Sequence, residues 1–306
     1  MCELHFYTLM YVADTEERQF SRRKYSGKEK LDLYVKGACV LDKSLKINAI
    51  GELCLLTNNK SAIEESLQRI GYLDLKVTAI DFNLNVPNGC RFYTAHFKID
   101  VFRYFATRPV DEYSILLDSD VVAISPFDRD FYHIVEKGLP MVYFLPGYGG
   151  RRRLRDASKI IEDLEYMSWA GGEFIGGKAS FYNSLYHEIC SFKDNYWKNI
   201  NNDLFHVGDE MLTSIALYNL NKTYVPIDAG IQGFIHRYWS VFDNAHYSAR
   251  QTPLVHFPGD KMFFYNVNLE SDTIDELMRS FSRYKFFCSI KGWIKRAIDK
   301  DWLLKL

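Results

Sequence analysis

The stretch Tyr113-Ser114-Ile115-Leu116-Leu117-Asp118-Ser119-Asp120-Val121-Val122 decides how the rest of the chain is read. Residues suited to a buried strand run into Asp-Ser-Asp, and apolar residues resume at once. Two carboxylates in such a run are costly unless something pairs with them. Side chains at i and i+2 of a strand share a face. Asp118 and Asp120 can therefore converge on one cation if the backbone stays extended or turns just there. Ligands of open α/β sheets sit outside the carboxyl ends of the strands. Hard oxygen donors favour Mg²⁺ or Mn²⁺, and such an ion can neutralise a diphosphate. The plain alternative is a pair of turn or capping aspartates.

Working outward, strand-like and helix-like stretches alternate. Residues 4–12 are a β-rich apolar run, 30–45 have helical spacing, and 52–57 form a short strand closed by Asn58-Asn59. Ser61, with Glu64 three residues on, fits a capping box opening a helix to Ile70. A strand at 76–82, a helix at 93–106 and the 113–124 strand follow. This alternation predicts βαβ units and a mostly parallel sheet. Downstream, the spacing predicts a strand at 141–145, then the basic run from Arg151 to Arg155 followed by a helix to about Met167, and a glycine-rich loop or strand at 171–177. Helices at 179–197 and 209–219, a short strand at 224–227 and a basic helical tail from Asp272 complete the reading.

At this point the sequence resembles a family. Leu116-Leu117-Asp118-Ser119-Asp120-Val121 is similar to the metal-binding D-x-D of GT-A-fold glycosyltransferases, especially glycosyltransferase family 8. Three further segments occur in that family's order. Phe174-Ile175-Gly176-Gly177 resembles its F-N-x-G strand without the Asn, and Gly208-Asp209-Glu210-Met211-Leu212 its D-Q-D-x-L-N helix start. His256-Phe257-Pro258-Gly259-Asp260-Lys261 resembles its H-x-x-G-x-x-K stretch, one residue shorter before the Lys. The resemblance spans roughly 4–265. It implies an α/β fold of the GT-A (Rossmann-like) type. The catalytic domain would be 1–265, with a nucleotide-sugar half over 1–125 and an acceptor half over 126–265, and 266–306 would be an amphipathic helical tail.

The resemblance also implies roles. Asp118, Asp120 and His256 would hold Mn²⁺ or Mg²⁺, and an imidazole suits Mn²⁺ better. Lys261 would contact the diphosphate as a point charge, and Gly259 would let the backbone approach the phosphates. His256 could instead be a packed histidine beside Pro258. Thr8 and Tyr11, at the end of the first strand, would receive the nucleoside base by a hydrogen bond and by stacking. Both serve only if the strand ends near Leu9, and a core role for Tyr11 stands beside that one. Lys98 is a candidate for ribose or phosphate contact, or a solvated surface lysine. Glu173, between glycines and an apolar pair, reads as an exposed carboxylate for sugar hydroxyls. Asp209 and Glu210 sit where a helix begins, which favours carboxylates as simple caps. Functionally, either could contact the donor sugar or act as general base on the acceptor. Gly149-Gly150-Arg151-Arg152-Arg153-Leu154-Arg155 reads as a mobile loop for an anionic acceptor or the donor phosphates, or as a solvated charged loop.

Composition bounds the reading. The chain has 306 residues, 47% hydrophobic and 25% charged, which excludes a disordered, collagen-like or coiled-coil protein. The 38 Lys+Arg nearly cancel 39 Asp+Glu, so bulk charge points to no nucleic-acid partner. Aromatics reach 16%, a level used for sugar-handling surfaces or simply for core packing. Six cysteines without a C-x-x-C pair read as buried thiols in a reducing compartment. The first residues lack the pattern of a signal peptide, and no apolar run nears the roughly 20 residues of a membrane span. The expected location is cytoplasmic, peripheral to a membrane at most. In the tail, Ile290, Trp293, Ile294, Ala297 and Ile298 share one helix face with basic residues mostly elsewhere. This suits an anionic membrane surface, or docking on the protein itself.

The function expected from these readings is metal-dependent transfer of a hexose from a nucleotide sugar, UDP-linked by preference, to an acceptor sugar hydroxyl. The acceptor would be a glycan or lipid-linked glycan in surface polysaccharide or lipopolysaccharide synthesis. A sugar nucleotidyltransferase is the alternative enzyme, but it normally has a glycine-rich basic loop after the first strand, where Val12-Ala13-Asp14-Thr15 stands here. A non-catalytic carbohydrate-binding protein on the same fold is the third reading.

Overall fold

The computed structural model describes residues 2–13, 27–145, 150–162, 164, 166–200, 204–238, 252–258, 261–269, 273–277, 279–284 and 286. Its larger sheet is built from β1 (Glu3–Met10), β2 (Leu53–Thr57), β3 (Lys76–Ala79), β4 (Glu112–Leu117), β6 (Met141–Phe144), β7 (Ala170–Lys178) and β8 (Ile227–Asp228). The strand order is β3-β2-β1-β4-β7-β6-β8. Strands β3, β2, β1 and β4 run parallel, and β7 is antiparallel to both β4 and β6. A smaller sheet has the order β5-β10-β9, from β5 (Val121–Ala123), β9 (Ile235–Arg237) and β10 (Leu254–His256). The α/β architecture expected from the sequence is therefore present.

Helices flank the sheets: α1 (Gly27–Ile47), α2 (Lys60–Ile70), α3 (Lys98–Phe105), α4 (Arg129–Lys137), α5 (Gly150–Ala157), α6 (Ala179–Asn199), α7 (Asp209–Leu220) and α8 (Lys261–Tyr265). Strand β4 is buried along its whole length, as expected for a central strand running between neighbours on both sides. Asn59, rather than Ser61, caps α2, its side chain accepting from the Ala62 amide at 3.1 Å. The helix begins at Lys60, so Asn59 holds the capping position and Ser61 falls inside the first turn, its hydroxyl donating to Asn59 Oδ1 at 3.0 Å. The basic run from Arg151 to Arg155, read as a loop, is instead helical in α5, which ends at Ala157, well before Met167.

Two features set up the site. The order 3-2-1-4 places a topological switch between β1 and β4, and ligands gather at the carboxyl ends of strands there. The apolar run 113–124 is not one strand. It breaks at Asp118-Ser119-Asp120 into β4 and β5, which belong to different sheets, and the Val121 amide closes the turn on the Asp118 carbonyl at 3.1 Å. Helix α1 packs directly on this turn. A Cβ on Gly37 would stand 2.5 Å from the Ser119 carbonyl oxygen, so only glycine allows the approach.

Part of the segment after 265 docks on the domain. Leu277 and Phe281 are buried, and the Phe281 ring lies 4.4 Å from that of Phe257 and 5.0 Å from that of Phe263. The amphipathic stretch 290–298 lies outside the described residues. No described helix is long and apolar enough to cross a membrane.

Candidate active site

The site forms at the seam between the two sheets. Strand β4 delivers Asp118 just past its carboxyl end. Neighbouring β7 delivers Glu173, whose carbonyl accepts from the Asp118 amide at 3.2 Å. On the smaller sheet, β10 carries His256 opposite Val121 and beside Arg237 of β9. The Phe257 amide donates to the Asp120 carbonyl at 2.9 Å, which locks the D-S-D turn to β10.

Asp118, Asp120 and His256 offer ligand atoms that all lie within 4.8 Å of one another. His256 Nε2 is 3.1 Å from Asp120 Oδ1 and 3.8 Å from Asp118 Oδ2. Adjacent ligands on an octahedral ion with bonds near 2.1 Å stand about 3 Å apart. Two carboxylates and one imidazole are a donor set for Mn²⁺ or Mg²⁺. The residues therefore fit the metal that the resemblance implies. Lys261 supplies positive charge at the same place, its ammonium paired with Asp120 Oδ2 and 5.2 Å from the Tyr34 ring.

Electrostatics follow from this crowding. Burial alone would raise the Asp120 pKa, but Lys261 and His256 hold it well below the usual carboxylate range. Burial would lower that of His256; Asp120 and Glu173 outweigh it and lift the imidazole to about 9.

Lys98 is buried. Its ammonium donates to Asp118 Oδ1 and to the Gly172 carbonyl, both at 2.8 Å, and pairs with Asp209 Oδ2 at 2.8 Å. An ammonium has three donors, and all three are committed. This corrects both sequence readings of Lys98, the solvated lysine and the direct ribose or phosphate contact: it links Asp118 to Asp209. Gly172 makes room for it, since a Cβ there would lie 2.7 Å from Nζ.

Glu173 is also corrected. It is fully buried, so it does not present an exposed carboxylate to sugar hydroxyls. It faces Arg237 through two contacts, one to Nε and one of 2.5 Å to Nη2, and lies 3.3 Å from His256 Nδ1. These partners outweigh burial and hold Glu173 down at about 2. Arg237 then reaches Glu210 Oε1 at 3.0 Å, while Glu210 Oε2 accepts from Trp169 Nε1 at 2.9 Å. Asp209 and Glu210 open α7; burial raises the Asp209 pKa although Lys98 opposes it.

One expected nucleoside contact does not survive. Strand β1 continues through Met10, so Thr8 lies within the strand between Leu55 and Leu117 and is fully buried, its hydroxyl without a hydrogen-bond partner among the described residues. It cannot reach a bound base. Tyr11 lies past the strand end, its ring stacked on Phe97 at 3.7 Å and edged by Phe82 and Tyr93. One ring face is thus taken. Gly259 lies outside the described residues.

Sequence reading missed Arg237, Trp169, Gly37 and the packing role of Gly172. A lone arginine after Phe234-Ile235 was the available signal for Arg237, but no strand was expected there.

The switch point, the broken strand and the acidic turn together define a GT-A-like fold. Among solved structures, the chain is similar to mouse xyloside xylosyltransferase 1 in its apo form: TM-score 0.51 at 10% identity, over 85% of this chain and 99% of that one. An active-site mutant of LgtC aligns with TM-score 0.46 at 9% identity, over 91% of this chain and 95% of that one. No protein-family model and no curated protein matches the chain.

Proposed function

We propose that the chain is a metal-dependent glycosyltransferase, moving a hexose from a nucleotide sugar, UDP-linked by preference, to a hydroxyl of a glycan acceptor. The observation that carries this reading is the convergence of Asp118, Asp120 and His256 at the carboxyl end of β4, beside Lys261. The GT-A-like fold, shared with a protein named as a xylosyltransferase, supports sugar transfer.

As the glycosidic bond breaks, negative charge grows on the leaving diphosphate oxygen. Asp118, Asp120 and His256 would hold a divalent ion, which when bound would supply Lewis-acid neutralisation of that charge. Lys261 adds a point charge to the same phosphates. Glu173 and Arg237 act behind the ligands: Glu173 fixes the His256 ring through Nδ1, and Arg237 compensates the Glu173 charge. Lys98 does the same for Asp118 and Asp209. Asp209, at the N-terminus of α7, is the candidate for contact with the donor sugar or for proton acceptance from the acceptor hydroxyl.

The acceptor we propose is a glycan on a lipid carrier, of the surface polysaccharide or lipopolysaccharide kind. The basic amphipathic stretch 290–298 supports peripheral contact with an anionic membrane.

The test is calorimetric binding of UDP with and without Mn²⁺, on wild type and Asp118→Ala/Asp120→Ala. Binding that requires both the ion and the carboxylates is expected. Binding indifferent to both would sink the reading.

A further inference from the structure

Two phenylalanines beside the site face solvent, Phe92 at 60% exposure and Phe205 at 57%. Neither is placed there by slack. Phe92 has φ 54 and ψ 37, the left-handed region that a bulky residue avoids. Such a conformation persists only where surroundings over-determine it, and such residues cluster at ligand sites. Here the Phe92 carbonyl accepts from the Ala95 amide at 2.9 Å and from His96 Nδ1 at 3.0 Å. Packing gives no return for the strain, since the ring is outside.

The loop bearing Phe205 is equally fixed. Buried Asp156, in α5, accepts the Phe205 and His206 amides at 3.0 and 3.1 Å. Arg91 Nη2 donates to the Phe205 carbonyl at 2.7 Å, tying this loop to the Phe92 segment. The Arg152 guanidinium lies 5.5 Å from the centre of the Phe205 ring. A Cβ on Gly208 would stand 3.7 Å from the Phe92 Cβ, and Asp209 follows directly. The two rings therefore flank the start of α7, next to the Asp209–Lys98–Asp118 chain.

Arg91, Arg151, Arg152 and Arg155 are exposed, while Asp156 is buried and occupied by the loop. Among the described residues no carboxylate pairs with Arg91, Arg151 or Arg152. Pyranose C–H groups are attracted to the negative face of an aromatic ring. A guanidinium fork matches carboxylate or phosphate.

We infer that the surface formed by Phe92, Phe205, Arg91 and Arg152 is an acceptor subsite for an anionic glycan, a sugar ring lying on the phenylalanines and its carboxylate or phosphate on the arginines. This rests on the transferase reading above.

The experiment is binding of the full chain to an array of neutral, uronic-acid-bearing and phosphate-bearing oligosaccharides, with Mn²⁺–UDP calorimetry run in parallel. Signal confined to the charged glycans is expected, and which of the two charged groups binds identifies the anion. Arg152→Ala and Phe205→Ala should each reduce it about tenfold, and Arg152→Lys should keep part of it. Phe92→Gly relieves the backbone strain, so it should hold or raise the melting temperature while losing glycan binding. Equal signal from neutral glycans, a blank array, or variants that bind like wild type would overturn the subsite. A blank array with intact Mn²⁺–UDP binding removes the subsite alone; glycan binding without Mn²⁺–UDP binding removes the donor reading alone.

Discussion

Glu173 Oε1 lies 3.3 Å from His256 Nδ1, while Nε2 of the same ring lies 3.1 Å from Asp120 Oδ1. The two carboxylates thus hold opposite edges of one imidazole. Accepting the Nδ1 proton leaves Nε2 as the edge turned toward Asp118 and Asp120. Carboxylate–histidine pairs of this kind tune metal ligands from behind.

Glu173→Gln keeps the volume and removes the charge. The Mn²⁺ dissociation constant should rise about ten- to a hundredfold. Titration calorimetry with Mn²⁺ alone reads this without any turnover. An unchanged constant would show that Glu173 serves only Arg237.

Lys98→Met should destabilise the fold by about 3–5 kcal/mol, the range for removing one partner of a buried ion pair. Asp118 and Asp209 would both lose their shared cation. Urea unfolding at neutral pH measures it. A loss below about 1 kcal/mol, the exposed-pair range, would contradict the burial of this network.

Gly37→Ala sets two effects against each other. Alanine improves helix propensity by about 1 kcal/mol. Its methyl, however, would meet the Ser119 carbonyl at 2.5 Å, a backbone atom with little freedom to move. Overpacking, at about 1–3 kcal/mol, should win. The expected result is a lower melting temperature together with weaker Mn²⁺ binding, because the D-S-D turn must shift.

His96 predicts an acid-labile step. Burial outweighs the Phe92 and Tyr93 backbone contacts and lowers its pKa to about 4, against about 6.5 unfolded. Between those values the unfolded chain binds the proton and the folded chain does not. Stability from this group is therefore complete above about pH 6.5 and is lost as pH falls toward 4, by at most about 3 kcal/mol. Its Nε2 is 2.9 Å from the Tyr196 hydroxyl, which accepts from the Gly208 amide at 2.9 Å. Urea unfolding from pH 7 to pH 4.5 should show a shallower pH slope in His96→Gln than in wild type.

Removing residues 287–306 should abolish association with anionic vesicles and leave Mn²⁺–UDP binding intact. The cut spares the Phe257, Phe263, Phe281 and Tyr284 cluster that docks the preceding segment. Loss of nucleotide binding in the truncated protein would assign the removed stretch to the domain instead.

Much of the site could be read locally. Carboxylates cannot sit inside an apolar run without partners, so Asp118-Ser119-Asp120 announced itself by composition alone. Alternating strand and helix patterns likewise led to the α/β class, because periodicity reflects which face is buried. The sequence itself could not say that the run 113–124 divides between two sheets, since both halves are equally apolar. Nor could it tell that Glu173 is buried and Lys98 enclosed. Those depend on residues far apart in the chain: Arg237, 64 positions beyond Glu173, and Asp209, just over a hundred beyond Lys98. Thr8 failed for the same reason, as the length of β1 is set by pairing with β2 and β4. Charge and periodicity are properties of neighbours in sequence and were legible there. Which charges meet, and which are desolvated when they do, is fixed by packing between strands, and only the tertiary structure decided it.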